Sequence, residues 1–157
     1  RAKGFDFSIL REAIAVNQFV KDRIIEKVND LFGGIVSDRK IAVWGLTFKA
    51  ETDDLRDSPA IEIISRLLSC GAKVSSFDPA VQVLPKSIDK SRLTMSAEAS
   101  CESAELLIVL TDWPQFAMVN PSQVASRMAS LQVLDCRNIL DDKLWRNFGF
   151  KYQGIGR

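Results

Sequence analysis

Apolar positions change their spacing once along the chain, and that change divides it. From Ser8 to Phe32, apolar residues at Leu10, Ala13, Ile14, Phe19, Val20, Ile24, Val28 and Leu31 recur mostly three or four apart, the period of a helix. Ser8 supplies a cap and Gly33-Gly34 a stop. One long helix is predicted, spanning about 37 Å at 1.5 Å per residue. Val16, Ile25 and Phe32 fall off the main stripe. A helix apolar beyond one face needs more than one covering surface. It reads as a spine against a second domain or a second subunit, the alternative being a terminal helix packed on its own domain.

Beyond Gly34 short apolar runs alternate with helical patterns. Residues 40–44 read as a buried strand, 73–77, 106–110 and 132–135 as further strands, and 150–152 as an edge strand. The run 106–110 is the most hydrophobic and is placed centrally. Ser58-Pro59 opens a helix that Gly71 ends, with Ser58 suited to the cap and Pro59 to the first turn. Residues 97–104 form a short helix, and Asn120-Pro121 starts another that runs through Met128. Strands alternating with helices predict right-handed crossovers and a Rossmann-like α/β fold, a parallel sheet with helices on both faces. The expected organisation is a long N-terminal helix over 1–34 and an α/β domain over 35–157.

Composition narrows the function. Twenty-one Lys and Arg against 20 Asp and Glu leave a net charge of +1 among 157 residues, which argues against nucleic acid as the main partner. No apolar run reaches the roughly 18–20 residues of a membrane helix. The chain has no histidine, which removes His-based nucleophilic and general-base chemistry and most zinc sites; no metal site is expected. Cys70, Cys101 and Cys136 form no CxxC pair and read as reduced thiols of a cytoplasmic protein. The opening at Arg1 suggests a start inside a longer protein.

Ligands of open α/β sheets bind beyond the carboxyl ends of the strands. The first such end is followed by thirteen residues, Gly45 to Asp57, where roughly two to six are usual. Lys49 and Arg56 sit there among Glu51, Asp53, Asp54 and Asp57. Gly45 stands alone, so no GxGxxG cradle can hold a pyrophosphate. Any nucleotide must be gripped by side chains: Lys49 as a point charge, Arg56 as a planar fork. The alternative is that both cations pair with neighbouring acids on a solvated loop. Asp78, at the second strand end, suits a ribose or, before Pro79, simple turn chemistry. Thr111-Asp112-Trp113-Pro114 reads as a helix-start turn. Arg137 leaves the fourth strand at the same edge as Lys49.

These residues carry a resemblance. Residues 40–64, KIAVWGLTFKAETDDLRDSPAIEII, closely resemble the start of the C-terminal domain of the UDP-glucose/GDP-mannose dehydrogenase family. Ala15-Val16-Asn17-Gln18 is similar to that family's central helix. Asp78-Pro79, the Leu-Thr-Asp-Trp of 110–113, Asp135-Cys136-Arg137-Asn138 and the terminal Gly-Ile-Gly-Arg follow in the family's order. The AVWG run at Trp44 and the ending GFKYQGIGR resemble members acting on UDP-glucose more than those acting on GDP-mannose.

The resemblance implies oxidation of a nucleotide sugar at C6 in two NAD-dependent steps, UDP-glucose to UDP-glucuronate. It implies an NAD-binding domain, and a cysteine passing through a thiohemiacetal and a thioester, both outside this chain. The fragment is then inactive alone and none of its cysteines is catalytic. Phe48, Lys49 and Arg137 would bind the UDP-sugar substrate, Arg56 would reach the NAD, and the long helix would make a homodimer. Cys136 stands where related proteins usually carry glycine, a strained position if its φ must be positive. Other readings are a GDP-mannose or other nucleotide-sugar dehydrogenase, and a non-catalytic dimerisation module.

Overall fold

A computed structural model describes residues 8–156. The chain divides into two compact units, the first ending at Ile35 and the second running from Val36. The first is essentially the helix α1, Ser8–Leu31. It closes at Gly33 and Gly34, both with positive φ, and the Gly34 amide returns to the Asn29 carbonyl.

The second unit is built on six parallel strands: β1 Lys40–Trp44, β2 Lys73–Phe77, β3 Arg92–Leu93, β4 Leu106–Val109, β5 Gln132–Asp135 and β6 Lys151–Gly154. Their order is β3-β2-β1-β4-β5-β6, the doubly wound arrangement in which the chain starts centrally and builds outward in both directions. The centre is therefore shared by β1 and β4. β4 is buried at every residue, as its composition predicts.

The register sorts the core into two layers. Ala42 pairs Leu107 and Trp44 pairs Val109. With Ala97, Cys101, Phe116, Val133 and Trp145 they form one buried cluster. The Trp44 ring lies 5.2 Å from Phe116 and 6.0 Å from Trp145, and its indole N–H donates to the Ala97 carbonyl. Trp44 is wholly buried, so its part in the family resemblance is packing. Ile41, Val43, Leu106, Ile108 and Leu134 point to the opposite face and are equally buried.

The helices are α2 Pro59–Ser69, α3 Ala97–Ser100, α4 Pro121–Ala125 and α5 Asp142–Asn147. Ser58 caps α2, its Oγ accepting from the Ala60 amide, and α2 buries Ala60, Ile63, Ile64 and Leu67. The elements at 97 and 121 are shorter than their sequence patterns. Two elements escape the pattern altogether. β3 has two residues, too few to show a period. α5 has one turn and a half, capped by Asp141 and buried only at Trp145.

One glycine makes the centre possible. Gly45 has φ +88°, and a Cβ placed on it would lie 2.4 Å from Thr111 Cβ and 2.6 Å from the Thr111 amide nitrogen. The exit of β1 thus crosses the exit of β4 at backbone contact. Gly45→Ala combines a left-handed alanine with an overpacked junction, together about 2–4 kcal/mol. We expect its thermal midpoint to fall by about 10 °C; calorimetric midpoints within 2 °C of wild type, a margin of roughly 0.5 kcal/mol, would mean that the junction opens without cost.

Candidate functional site

β1 and β4 lie side by side, yet the chain leaves them in opposite directions, β1 toward β2 and β4 toward β5. That reversal is the switch point of a doubly wound sheet, the place where such sheets bind ligands in a crevice beyond the carboxyl ends of the strands. A buried carboxylate organises this rim. Asp78 Oδ2 accepts from the Leu46 amide at 2.7 Å, the Thr47 amide at 3.1 Å and the Thr47 hydroxyl at 3.2 Å. The Trp113 indole N–H also donates to it, at 3.2 Å. Its other oxygen accepts the Ala80 amide, the turn chemistry that Asp-Pro suggests. Thr111 Oγ1 donates to the Thr47 carbonyl at 2.8 Å. These bonds tie the ends of β1, β2 and β4 into one platform.

From this platform the long loop rises and returns. Its base is closed by Ser58 Oγ donating to the Leu46 carbonyl at 2.7 Å, and its waist by the Phe48 amide donating to the Asp54 carbonyl at 2.9 Å. Glu51 and Asp57 adopt left-handed φ to make the bends. Phe48 and Lys49 project at the crest, both exposed, and Phe48 keeps 50% of its surface open although aromatic. Among the described residues Lys49 has no ion pair.

Arg56 differs. Its Nε meets Asp54 Oδ1 and its terminal nitrogen meets Oδ2, each at 2.9 Å, while its amide also donates to Oδ1. The side-chain fork, helped by the amide, holds the Asp54 carboxyl down at about 2. Pairing with the neighbouring acids therefore describes Arg56 and not Lys49.

Arg137 is placed by a second buried carboxylate. Asp135, the last residue of β5, accepts the Arg137 amide through Oδ1 at 2.9 Å. Its Oδ2 accepts the Leu140 amide and the Tyr152 hydroxyl, each at 2.8 Å. The Arg137 Nε then donates to the Leu110 carbonyl at 2.7 Å. That bond draws its guanidinium over the end of β4, the strand beside β1, and leaves both terminal nitrogens without an ion pair among the described residues. Cys136 continues the ladder, its amide bonding the Val109 carbonyl, and its φ is not positive. The left-handed residue of this turn is Asn138 at φ 53°, a type that tolerates it. Cysteine at 136 therefore leaves Arg137 unstrained.

The sequence reading missed the anchors beneath the cations. Thr111, Trp113 and Asp135 are buried, and their only signal was a polar group at a strand end; Tyr152, buried within β6 with Arg146 over its ring at 5.7 Å, gave none. Burial pushes the Cys101 thiol up to about 12, far from any nucleophilic thiolate. Among the described residues no three metal-ligating side chains gather, and no helix is long and apolar enough to cross a membrane.

The strand order and the crevice at β1/β4 define a doubly wound domain of the nucleotide-binding type. The chain belongs to the UDP-glucose/GDP-mannose dehydrogenase family: residues 42–142 match its UDP binding domain. It is 36% identical over 154 residues to a UDP-glucose 6-dehydrogenase of Rickettsia typhi, covering 96% of this chain and 36% of that protein. It is 35% identical over 162 residues to a UDP-glucose 6-dehydrogenase of Pseudomonas aeruginosa, covering 99% and 36%. A solved UDP-D-ManNAc dehydrogenase of Pyrococcus horikoshii superposes with a TM-score of 0.77 at 28% identity, over 99% of this chain and 35% of that one. The chain thus spans about 36% of the length of the curated relatives it matches.

The Asp54–Arg56 pair makes a pH prediction. A depressed carboxylate adds its pairing above the ordinary value near 3.9 and loses it as pH falls through about 2. Carbon-detected NMR of Asp54 should show a midpoint near 2. A midpoint of about 4, the free carboxylate value, means the fork is open in solution.

Proposed function

We propose that this chain is the substrate-binding portion of an NAD-dependent UDP-glucose 6-dehydrogenase, acting in the cytoplasm, and that it grips the UDP moiety. The observation that carries the reading is a pair of cations, Lys49 and Arg137, that have no ion pair among the described residues and follow strands on either side of the switch point. Lys49 lies on the loop that follows β1 and the Arg137 guanidinium over the end of the neighbouring β4, both inside the region matched by a UDP binding domain. A diphosphate carries about two negative charges, and charge-assisted hydrogen bonds to it are the strong kind. Phe48, exposed beside Lys49, offers a flat apolar surface to the nucleotide sugar.

The crevice itself does not suit the pyrophosphate of NAD. That group needs a glycine-rich turn at a helix start, whereas β1 here leads into a long loop with one glycine, and that glycine is spent against Thr111. NAD and the oxidation step are accordingly assigned to the part of the enzyme outside this chain. Arg56 is the residue of this chain assigned to the cofactor, exchanging Asp54 for a phosphate oxygen.

The reading extends to a homodimer through α1. Val16, Phe19 and Val20 are 58%, 62% and 41% exposed and share the i, i+3, i+4 spacing of a single helix face, so Phe19 and Val20 stand with Val16 and not with the buried Ile24 and Val28 as the stripe suggested. Such a face suits a second copy of the same helix.

Two measurements test this. Calorimetric titration of the full-length protein with UDP should show Lys49→Ala binding about tenfold more weakly, the loss of one charge-assisted bond. Equal affinities would remove Lys49 from the site. In sedimentation, Phe19→Asp should convert dimer to monomer; a dimer of undiminished stability would place the interface elsewhere.

A further inference from the structure

At the amino ends of the strands, opposite the crevice, the sheet concentrates positive charge in a second place. Parallel register sets Lys40 of β1 directly beside Lys73 of β2, and Ser75 beside Arg92 of β3. Residues two apart on a strand share a face. Lys40, Lys73, Ser75 and Arg92 therefore all stand on the face that carries Ala42 and Trp44. With Lys90 and Glu102 they line a cleft of about 390 Å³, within the range of small-molecule sites.

Like charges directly opposite each other on neighbouring strands destabilise a sheet, and local acids relieve little of this. Lys73 reaches Asp38 at 2.8 Å, with both side chains mostly exposed. Glu102, the one acid on the cleft wall, is shared with Arg127 at 3.4 Å. Lys40, Lys90 and Arg92 have no ion pair among the described residues. On the floor Ser75 is half-buried, and its hydroxyl has no hydrogen-bond partner among the described residues. Uncompensated cations around a concave surface with an unused hydroxyl at its base are the complement of a compact polyanion. Arg92 supplies a fork for two phosphate oxygens, the lysines supply point charges.

We propose that this cleft is a second anion site, taking a small ligand that bears two or three phosphates. It is separate from the UDP crevice, since the five residues of β1, rising about 3.3 Å each, stand between the two rims. The site does not depend on the assignment made to the crevice.

The test uses the full-length protein saturated with UDP, so that the crevice is filled, and inorganic triphosphate as the probe at low ionic strength. We expect one equivalent to bind, to raise the thermal midpoint, and to weaken as salt screens the cations. Lys90→Ala/Arg92→Ala replaces two exposed side chains and should bind triphosphate at least tenfold more weakly with UDP affinity unchanged. Arg92→Lys, which keeps the charge and loses the fork, should fall between. The proposal is overturned if triphosphate fails to bind, if UDP displaces it, or if the double variant binds it as wild type does.

Discussion

Asp78 Oδ2 is where this domain's local geometry is decided. A carboxylate that is 3% exposed, with no ion pair among the described residues, must find donors, because an uncompensated buried charge is costly. It finds them in the first two amides after Gly45, the Thr47 hydroxyl and the Trp113 indole. Those donors belong to the exits of β1 and β4, and the acceptor follows β2. One ion therefore gathers three strand ends. The Gly45–Thr111 contact is the geometric counterpart of this electrostatic demand: the β1 exit can be drawn onto Asp78 because no Cβ holds it away from Thr111.

Asp135 repeats the device on the other side of the switch point. There the donors are the amides of Arg137 and Leu140 and the Tyr152 hydroxyl. In both cases an aspartate at a strand end is spent on folding the following turn, and the cation that faces solvent is left for other work. This division explains why the two aspartates at strand ends, Asp78 and Asp135, are buried while Lys49 and Arg137 are exposed; Glu51, Asp53 and Asp57 stay exposed on the loop. It also explains why Arg56, whose acid lies on the same exposed loop, is the paired one.

The fold was largely legible because its signals are local. β1 and β4 are apolar runs, β2 and β5 are short mixed runs set off by turn residues, and Ser58-Pro59 marks a helix start by its own chemistry. β3 is a strand only because β2 lies beside it; Arg92-Leu93 carries no pattern of its own. α5 is held by the Asp141 cap and by Trp145 packing 4.7 Å from Phe150, a contact set by the tertiary structure. The site was legible in part for the same reason. Lys49, Arg56 and Arg137 stand out by charge and position, and the family resemblance orders them. The commitment of Arg56 to Asp54 and the freedom of Lys49 depend on how the loop closes, which spacing cannot show. Asp78 read as ribose binder or turn former, and the structure makes it a clamp.

The loop between Leu46 and Ser58 is pinned at its base and waist, while its crest, residues 49–53, makes no hydrogen bond to a strand among the described residues. Apart from Ala50, which packs against the core, side chains there can be exchanged without disturbing a strand. A scaffold of this kind separates what must be kept from what is free to vary. The platform can stay constant while successive crests are tried, so that change on the crest need not pass through unstable intermediates.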